Sequence, residues 1–192
     1  MYQKISLRKR NTGQKHCFLR PILREIDMAI LSPMQNSAPV PLRPIFENFP
    51  SELTQADHWV LWKYELTDKG KWTKVPYTPQ RCKASSTNPA TWSPITDAVS
   101  AYSEGWASGV GIVLTQSLGM VALDFDGCTV EAAKPWLFSD SYTELSPSGN
   151  GVRQFIRGQL PEGAKNKYHP PNMKELEMYD SARYMTVTGH AL

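Results

Sequence analysis

Hydrophobic and polar positions alternate along several short stretches between residues 58 and 188, and this period of two is typical of β-strands. The sequence Asp68-Lys69-Gly70 between the first two stretches favours a hairpin turn, and residues 116–119 form a short turn between the next two. The predicted strands cover residues 58–64, 72–77, 110–114, 120–125, 142–145, 152–157, 175–179 and 184–188.

A helical period replaces the alternation between Pro94 and Glu104. Ser93 is a suitable N-cap, Pro94 suits the first helical position, and Gly105 can end the helix. A second, shorter helix is predicted over residues 131–137. Short strands with few helices predict an α+β fold. The apolar stripe of the longer helix comprises Ile95, Ala98, Val99, Tyr102 and Trp106.

The first fifty residues show neither the strand period of two nor the helical period. Residues 1–27 carry seven Lys and Arg against two acids, and residues 32–50 contain five prolines. We therefore predict a flexible N-terminal segment over residues 1–50 and one domain over residues 51–192. Residues 28–192 carry 14 bases against 16 acids, so a polyanion would have to bind a local patch of Lys and Arg.

Composition narrows the class of protein. Of 192 residues 41% are hydrophobic, which suits a globular core, and no apolar run is long enough for a transmembrane span. The three cysteines lie far apart without a CxxC pair, which argues against a disulfide framework or a structural zinc site. We expect a cytoplasmic protein without a membrane partner.

Two carboxylates stand at the end of the strand predicted at residues 120–125. Because strand side chains alternate between faces, Asp124 and Asp126 project from one face and Phe125 from the other. Close carboxylates repel one another unless a cation compensates them, and their oxygens suit Mg²⁺ or Mn²⁺. Taken alone, the pair is better explained by two solvated acids at a turn.

A second acidic strand favours a metal site over two solvated acids. Glu175, Glu177 and Tyr179 share one face of the strand predicted at residues 175–179. If this strand neighbours the first, Glu177 completes a three-carboxylate cluster able to hold two ions, an arrangement that promotes in-line phosphoryl displacement. The alternative for Glu175 and Glu177 is an edge strand protected by charge.

The sequence Ser-Pro-Ser-Gly-Asn-Gly at residues 146–151 lies between the two acidic strands. Its glycines and Ser148 could bring backbone N–H groups and a hydroxyl against phosphate oxygens, and Arg153 adds positive charge. A plain hairpin turn is the alternative for the loop, and a surface cation is the alternative for the basic residues. The candidate nucleotide-binding residues are Ser148, Gly149, Gly151, Arg153, Lys74 and Arg183.

Residues 57–190 resemble the primase-polymerase (prim-pol) domain of the archaeo-eukaryotic primase superfamily, in the branch found in phage and plasmid replication proteins. The first fifty residues are outside the resemblance. It rests on seven stretches in the same order, which are WVLWKYE, KWTKVPY, STNPATW, GVGIVLT, VALDFDGC, ELSPSGNGVRQFIRG and ELEMYDSARYMTVTGH.

The resemblance implies an RRM-like mixed sheet with flanking short helices that performs template-directed nucleotidyl transfer as a DNA primase and DNA polymerase. It implies Asp124, Asp126 and Glu177 as the catalytic residues and as the ligands of two Mg²⁺ or Mn²⁺ ions. The implied substrates are a DNA template-primer and a dNTP or NTP. No GxxxxGK[ST] sequence is present, so a separate replicative helicase is the expected partner.

Two departures from the family leave alternatives open. Arg153 stands where the family usually has a histidine, and the sequence stops at Leu192, where relatives continue, so we expect a domain truncated at its C-terminal end. The first alternative is an inactive module that binds nucleic acid or a replication partner. The second is a haloacid-dehalogenase-type phosphatase, whose first motif resembles residues 124–128 but whose fold requires a parallel sheet.

Deletion of residues 1–27 should leave the thermal midpoint of unfolding nearly unchanged, because this stretch has no sustained period and supplies no predicted core residue. Thermal unfolding of the shortened chain beside the full chain checks this. Loss of cooperative unfolding in the shortened chain would contradict the prediction.

Overall fold

Strand pairing organises most of the backbone in the computed structural model, which describes residues 37–192. Eight of the strands in this range match predicted strands with ends that differ by at most two residues, and β7 was not predicted. The nine strands are β1 (Trp59–Leu66), β2 (Trp72–Tyr77), β3 (Gly109–Leu114), β4 (Met120–Asp126), β5 (Tyr142–Leu145), β6 (Gly151–Arg157), β7 (Lys167–Tyr168), β8 (Glu175–Tyr179) and β9 (Arg183–Val187).

The strands form two sheets, with the orders β2-β1-β3-β9 and β5-β6-β4-β8-β7. All pairings described are antiparallel, so the α+β class is confirmed but the expected mixed sheet is wrong for residues 37–192. Short connections such as residues 146–150 join neighbouring strands, and they permit only antiparallel pairing. The phosphatase alternative loses its support, because these sheets lack the parallel pairing that it requires.

The predicted turn at residues 116–119 joins β3 to β4, but these two strands belong to different sheets. Residues Gln116–Leu118 form a 3-10 turn, and the Thr115 hydroxyl accepts a hydrogen bond from the N–H of Leu118 at 3.2 Å. Gly119 ends the turn with a φ of 65°, a conformation that glycine adopts without strain. The turn therefore carries the chain from one sheet to the other.

Three short α-helices flank the sheets in the described range, namely α1 (Ser51–Thr54), α2 (Ile95–Ser103) and α3 (Val130–Ala133). The helix predicted at residues 94–104 is confirmed as α2, but Ser93 does not cap it. Its hydroxyl instead donates to the carbonyl oxygen of Trp59 at 3.2 Å. Helix α3 continues into a 3-10 turn at Lys134–Trp136, because a proline at position 135 cannot extend the helix.

The two faces of β4 contact different apolar clusters. Its odd-numbered residues lie in a cluster that includes α3, whereas Met120 and Ala122 join a larger cluster with the first sheet and α2. Asp124 and Asp126 continue the face of Met120 and Ala122, which confirms the predicted alternation. The smaller cluster comprises Val121, Leu123, Phe125, Ala133, Val152 and Leu176.

Residues 42–49 contact the sheets. The N–H of Leu42 donates to the carbonyl oxygen of Pro147 and that of Ile45 to Thr188, both at 2.8 Å, and the ring of Phe49 stacks on Trp59. Residues 38–192 therefore form one unit. The prediction of a flexible segment falls mostly on residues 1–36, which lie outside the described residues. Within the described range, no helix is both long and apolar enough to cross a membrane.

Gly151→Ala should destabilise the domain more than Gly149→Ala. A Cβ at position 151 would lie 2.6 Å from the carbonyl oxygen of Phe125, whereas a Cβ at position 149 meets no atom within 4 Å. We expect a loss of about 1 kcal/mol for Gly149→Ala, whose φ is positive, and about 2 to 3 kcal/mol for Gly151→Ala. Urea unfolding measures both values, and equal losses would contradict the prediction.

Candidate active site

A cleft with a volume of about 710 Å³ is lined by side chains of both sheets. The second sheet contributes carboxylates and one guanidinium, and the first sheet contributes cations and the aromatic rings of Tyr64 and Trp72. One opening thus combines the three proposed metal ligands with three of the six candidate nucleotide-binding residues. The predicted site residues that line it are Asp124, Asp126, Glu177, Arg153, Lys74 and Arg183.

Charged residues lie side by side across the five strands of the second sheet. Asp124 of β4 pairs in register with Arg153 on one side and Glu177 on the other. Beyond them, Glu144 lies opposite Arg153, and Lys167 lies opposite Glu177. We call these five residues the charged row. The condition that the two acidic strands are neighbours is therefore met.

Two hydrogen bonds of the charged row join Arg153 to Asp124. Nε and Nη2 of Arg153 donate to the two carboxylate oxygens of Asp124 at 3.0 and 3.1 Å, and both side chains are buried. Nη1 donates to the carbonyl oxygen of Thr186 in β9 at 2.9 Å and also contacts the Thr186 hydroxyl. Arg153 thus connects the two sheets while it orients Asp124.

Asp126 and Glu177 differ in how their charges are balanced. Burial raises the pKa of Asp126, and the neighbouring Asp124 raises it further. Glu177 instead contacts Lys167 through one carboxylate oxygen and lies 3.5 Å from Arg183 Nη2 through the other. An added cation would therefore relieve more repulsion at Asp126 than at Glu177.

The Ser-Pro-Ser-Gly-Asn-Gly loop lies at the end of β4, but the structure does not place its predicted residues on the cleft. Ser148 is exposed, and its hydroxyl lies 3.2 Å from that of Ser146 within the turn. Gly149 borders open space, and Gly151 begins β6 opposite Asp126. In this structure the loop acts as the hairpin turn between β5 and β6.

Carboxylate oxygens are the donors that Mg²⁺ and Mn²⁺ prefer. Burial and, after it, the charge of Asp124 raise the pKa of Asp126, and a bound ion would favour its ionised form. The residues therefore fit the ions in chemistry. Among residues 37–192, however, no three His, Cys, Asp or Glu side chains already have the spacing of a metal site. Asp124 and Glu177 also contact Arg153 and Lys167, so an ion would have to share these two carboxylates with the cations.

Sequence reasoning missed Lys167, Glu144 and Thr186. Lys167 lies in a strand of only two residues, too short to show a period. Glu144 lies in a strand that the sequence predicted, but nothing local identifies its partners. Thr186 accepts from Arg153 across a separation of 33 residues, which no local pattern predicts.

Lys74 is a cation whose charge depends on its surroundings. Burial lowers its pKa to about 8, and the positive charge of Arg153 acts in the same direction. Its ammonium lies 5.9 Å from the centre of the Trp62 ring. Lys74 is therefore protonated at neutral pH and loses its charge as the pH rises through about 8.

Binding of dATP in metal-free buffer should weaken as the pH rises through about 8, because Lys74 then loses the charge that attracts phosphate. We expect a loss on the order of tenfold between pH 7 and 9. Lys74→Arg is the matched control, since its guanidinium stays charged over this range and its affinity should remain nearly constant. Calorimetric titration measures both, and identical pH profiles would contradict the role of Lys74.

No protein-family model matches the chain. The chain is similar to a DNA primase-polymerase of Nitratiruptor phage NrS-1, with 39% identity over 146 aligned residues. The alignment covers 71% of this chain and 20% of that protein, so the chain spans about one fifth of its relative's length. The aligned region is therefore homologous to part of a phage DNA primase-polymerase, and the family resemblance predicted from the sequence motifs is confirmed.

Proposed function

We propose that this domain catalyses template-directed nucleotidyl transfer in the replication of phage, prophage or plasmid DNA. The observation that carries this proposal is the convergence of Asp124, Asp126 and Glu177 with Lys74 and Arg183 on one cleft. Homology to a phage primase-polymerase supports the same reaction class. The substrates would be a DNA template-primer and a dNTP or NTP, and a separate replicative helicase would be its partner.

We assign the second sheet as the RRM-like catalytic sheet of the archaeo-eukaryotic primase type. Its central strand β4 is paired on both sides and buried along most of its length. Three carboxylates of β4 and β8 lie on the face that borders the cleft. A strand held in this way keeps its side chains in fixed positions, as nucleotidyl transfer requires.

Asp124, Asp126 and Glu177 would hold Mg²⁺ or Mn²⁺. Two such ions, when bound, activate the attacking hydroxyl and neutralise the triphosphate. Arg153 donates one hydrogen bond to each oxygen of Asp124, and each oxygen can accept a second interaction. The pairing with Arg153 is therefore compatible with a metal-binding role for Asp124.

The cations of the cleft take different roles. Lys74 and Arg183 are partly exposed there and would contact phosphate oxygens. Arg153 is only 3% exposed and its donors point to Asp124 and Thr186, so we assign it to orienting Asp124 instead of binding phosphate. Tyr64 and Trp72 offer aromatic surface against which a base could stack.

A binding module without turnover is the second candidate. Two observations favour it. Glu177 already contacts Lys167 and Arg183, and no three His, Cys, Asp or Glu side chains within residues 37–192 have the spacing of a metal site. Such a module would bind template DNA but would not extend a primer. Primer extension therefore separates the two candidates.

Asp124→Asn, Asp126→Asn and Glu177→Gln should each reduce primer extension on the order of a hundredfold or more, because a metal ligand contributes several kcal/mol to the transition state. The assay contains template-primer, dNTPs or NTPs, and Mg²⁺ or Mn²⁺. Glu52→Gln is the matched control, since Glu52 is an exposed acid that contacts Arg157 outside the cleft. If the wild type binds DNA but extends no primer with either metal, the binding module is the correct function.

In metal-free protein, Asp124→Asn and Asp126→Asn should differ in their free energy of unfolding. Asp124→Asn breaks a buried pair and should cost about 3 to 5 kcal/mol, whereas Asp126→Asn removes repulsion and should leave stability equal or higher at pH 7. The sign follows from the raised pKa of Asp126, which makes its ionised form unfavourable in the folded state. If all three carboxylate variants extend a primer as fast as the wild type does, the catalytic assignment is wrong.

A further inference from the structure

The carboxylate of Glu144 is completely buried although Glu144 does not line the cleft. Its Oε2 accepts hydrogen bonds from the Tyr142 hydroxyl at 2.9 Å and from the N–H groups of Thr188 and Gly189 at 2.9 and 2.8 Å. Oε1 has no hydrogen-bond partner among the described residues. Burial of an ionised acid is costly unless a cation balances it. The ionised form of Glu144 therefore requires a nearby positive charge.

Arg153 supplies that charge. It lies directly opposite Glu144 in the pairing of β5 with β6, and opposite Asp124 in the pairing of β6 with β4. Burial by itself lowers the pKa of Arg153, but the carboxylates of Asp124 and Glu144 more than offset this, so the pKa is raised. In the register of the sheet Arg153 thus lies between two acids, of which only Asp124 borders the cleft.

Glu144 also anchors a backbone segment that Arg153 contacts, and the test must separate this structural role from the effect of its charge. Glu144 fixes the N–H groups of Thr188 and Gly189, which directly follow β9. Two residues earlier, the carbonyl oxygen of Thr186 accepts a hydrogen bond from Arg153 Nη1. The segment that receives this hydrogen bond is therefore held in place by Glu144.

We propose that Glu144 is a positioning residue, which orients the metal-binding carboxylate of Asp124 through Arg153. This inference rests on the proposed function, because it concerns the ion that Asp124 would bind. An ion at Asp124 competes with Arg153 for the same negative charge. Glu144 keeps Arg153 compensated and in place, so that Asp124 meets the ion in a fixed orientation.

A purely structural role makes a different prediction. Glu144 could serve only to anchor residues 188 and 189, in which case its charge would not matter to Arg153. Thr188→Val is a matched control for this role, because the Thr188 hydroxyl donates to the carbonyl oxygen of Leu145 and anchors the same segment without carrying charge. Glu144→Gln removes the charge but keeps the size of the side chain and an acceptor oxygen.

Two measurements on the full chain test the proposal. The first is the water-exchange rate of the Arg153 Nε–H proton by NMR in metal-free protein. The second is the Mn²⁺ concentration that gives half of the maximal increase in thermal midpoint. Glu144→Gln should raise both by about tenfold, the effect expected of a residue behind a metal ligand. Thr188→Val should lower the thermal midpoint and leave both quantities near their wild-type values.

The outcomes separate this inference from the proposed function. If Mn²⁺ does not change the thermal midpoint of the wild type, the proposed metal site is wrong. The proposed role of Glu144 toward Asp124 is then wrong as well. The role of Glu144 alone would be overturned if Mn²⁺ raises the thermal midpoint of the wild type but Glu144→Gln leaves the Arg153 exchange rate and the half-maximal Mn²⁺ concentration unchanged. It would also be overturned if Thr188→Val changes both quantities as much as Glu144→Gln does. If Glu144→Gln fails to fold, Glu144→Asp decides the question. Glu144→Asp keeps the charge, so its Arg153 exchange rate and its half-maximal Mn²⁺ concentration should both stay within about threefold of the wild-type values. Complete loss of the protection of Arg153 Nε–H from water exchange in Glu144→Asp would overturn the proposal.

Discussion

The buried pair of Arg153 and Asp124 is the contact on which the cleft depends. It joins β6 to the central strand β4 of the second sheet, and through Thr186 it also joins that sheet to the first. A buried guanidinium left without its acid, or an acid left without its guanidinium, costs several kcal/mol. The position of Asp124 is therefore set by a contact whose loss would strongly destabilise the fold.

The charged row extends this constraint to the rest of the site. Arg153 lies between Glu144 and Asp124, and Lys167 contacts Glu177 at the edge of the sheet. Asp126 is different, since no cation lies within salt-bridge distance of it in residues 37–192, and its pKa is raised by burial. The balance of charge thus leaves one acid uncompensated, at the position where a divalent ion would gain most.

Apolar packing makes this arrangement rigid. The odd-numbered side chains of β4 lie in one apolar cluster, and the first residues of its other face lie in a second. The strand is consequently held from both faces and by both neighbours before it reaches the cleft. A rigid strand is a suitable support for carboxylates that must keep their spacing, because small displacements of a reacting group cost large factors in rate.

The sequence by itself determined which residues share a face, since alternation along a strand is a local property of the backbone. It placed Asp124 with Asp126, placed Glu177 with Glu175 and Tyr179 on one face of β8, and located eight of the nine strands in the described range. Only the tertiary structure decided that Asp124 lies between Arg153 and Glu177, that the loop with Ser148 turns away from the cleft, and that β3 and β4 lie in different sheets. Sheet order and register arise from contacts between residues far apart in the chain, and short-range periodicity carries no information about them.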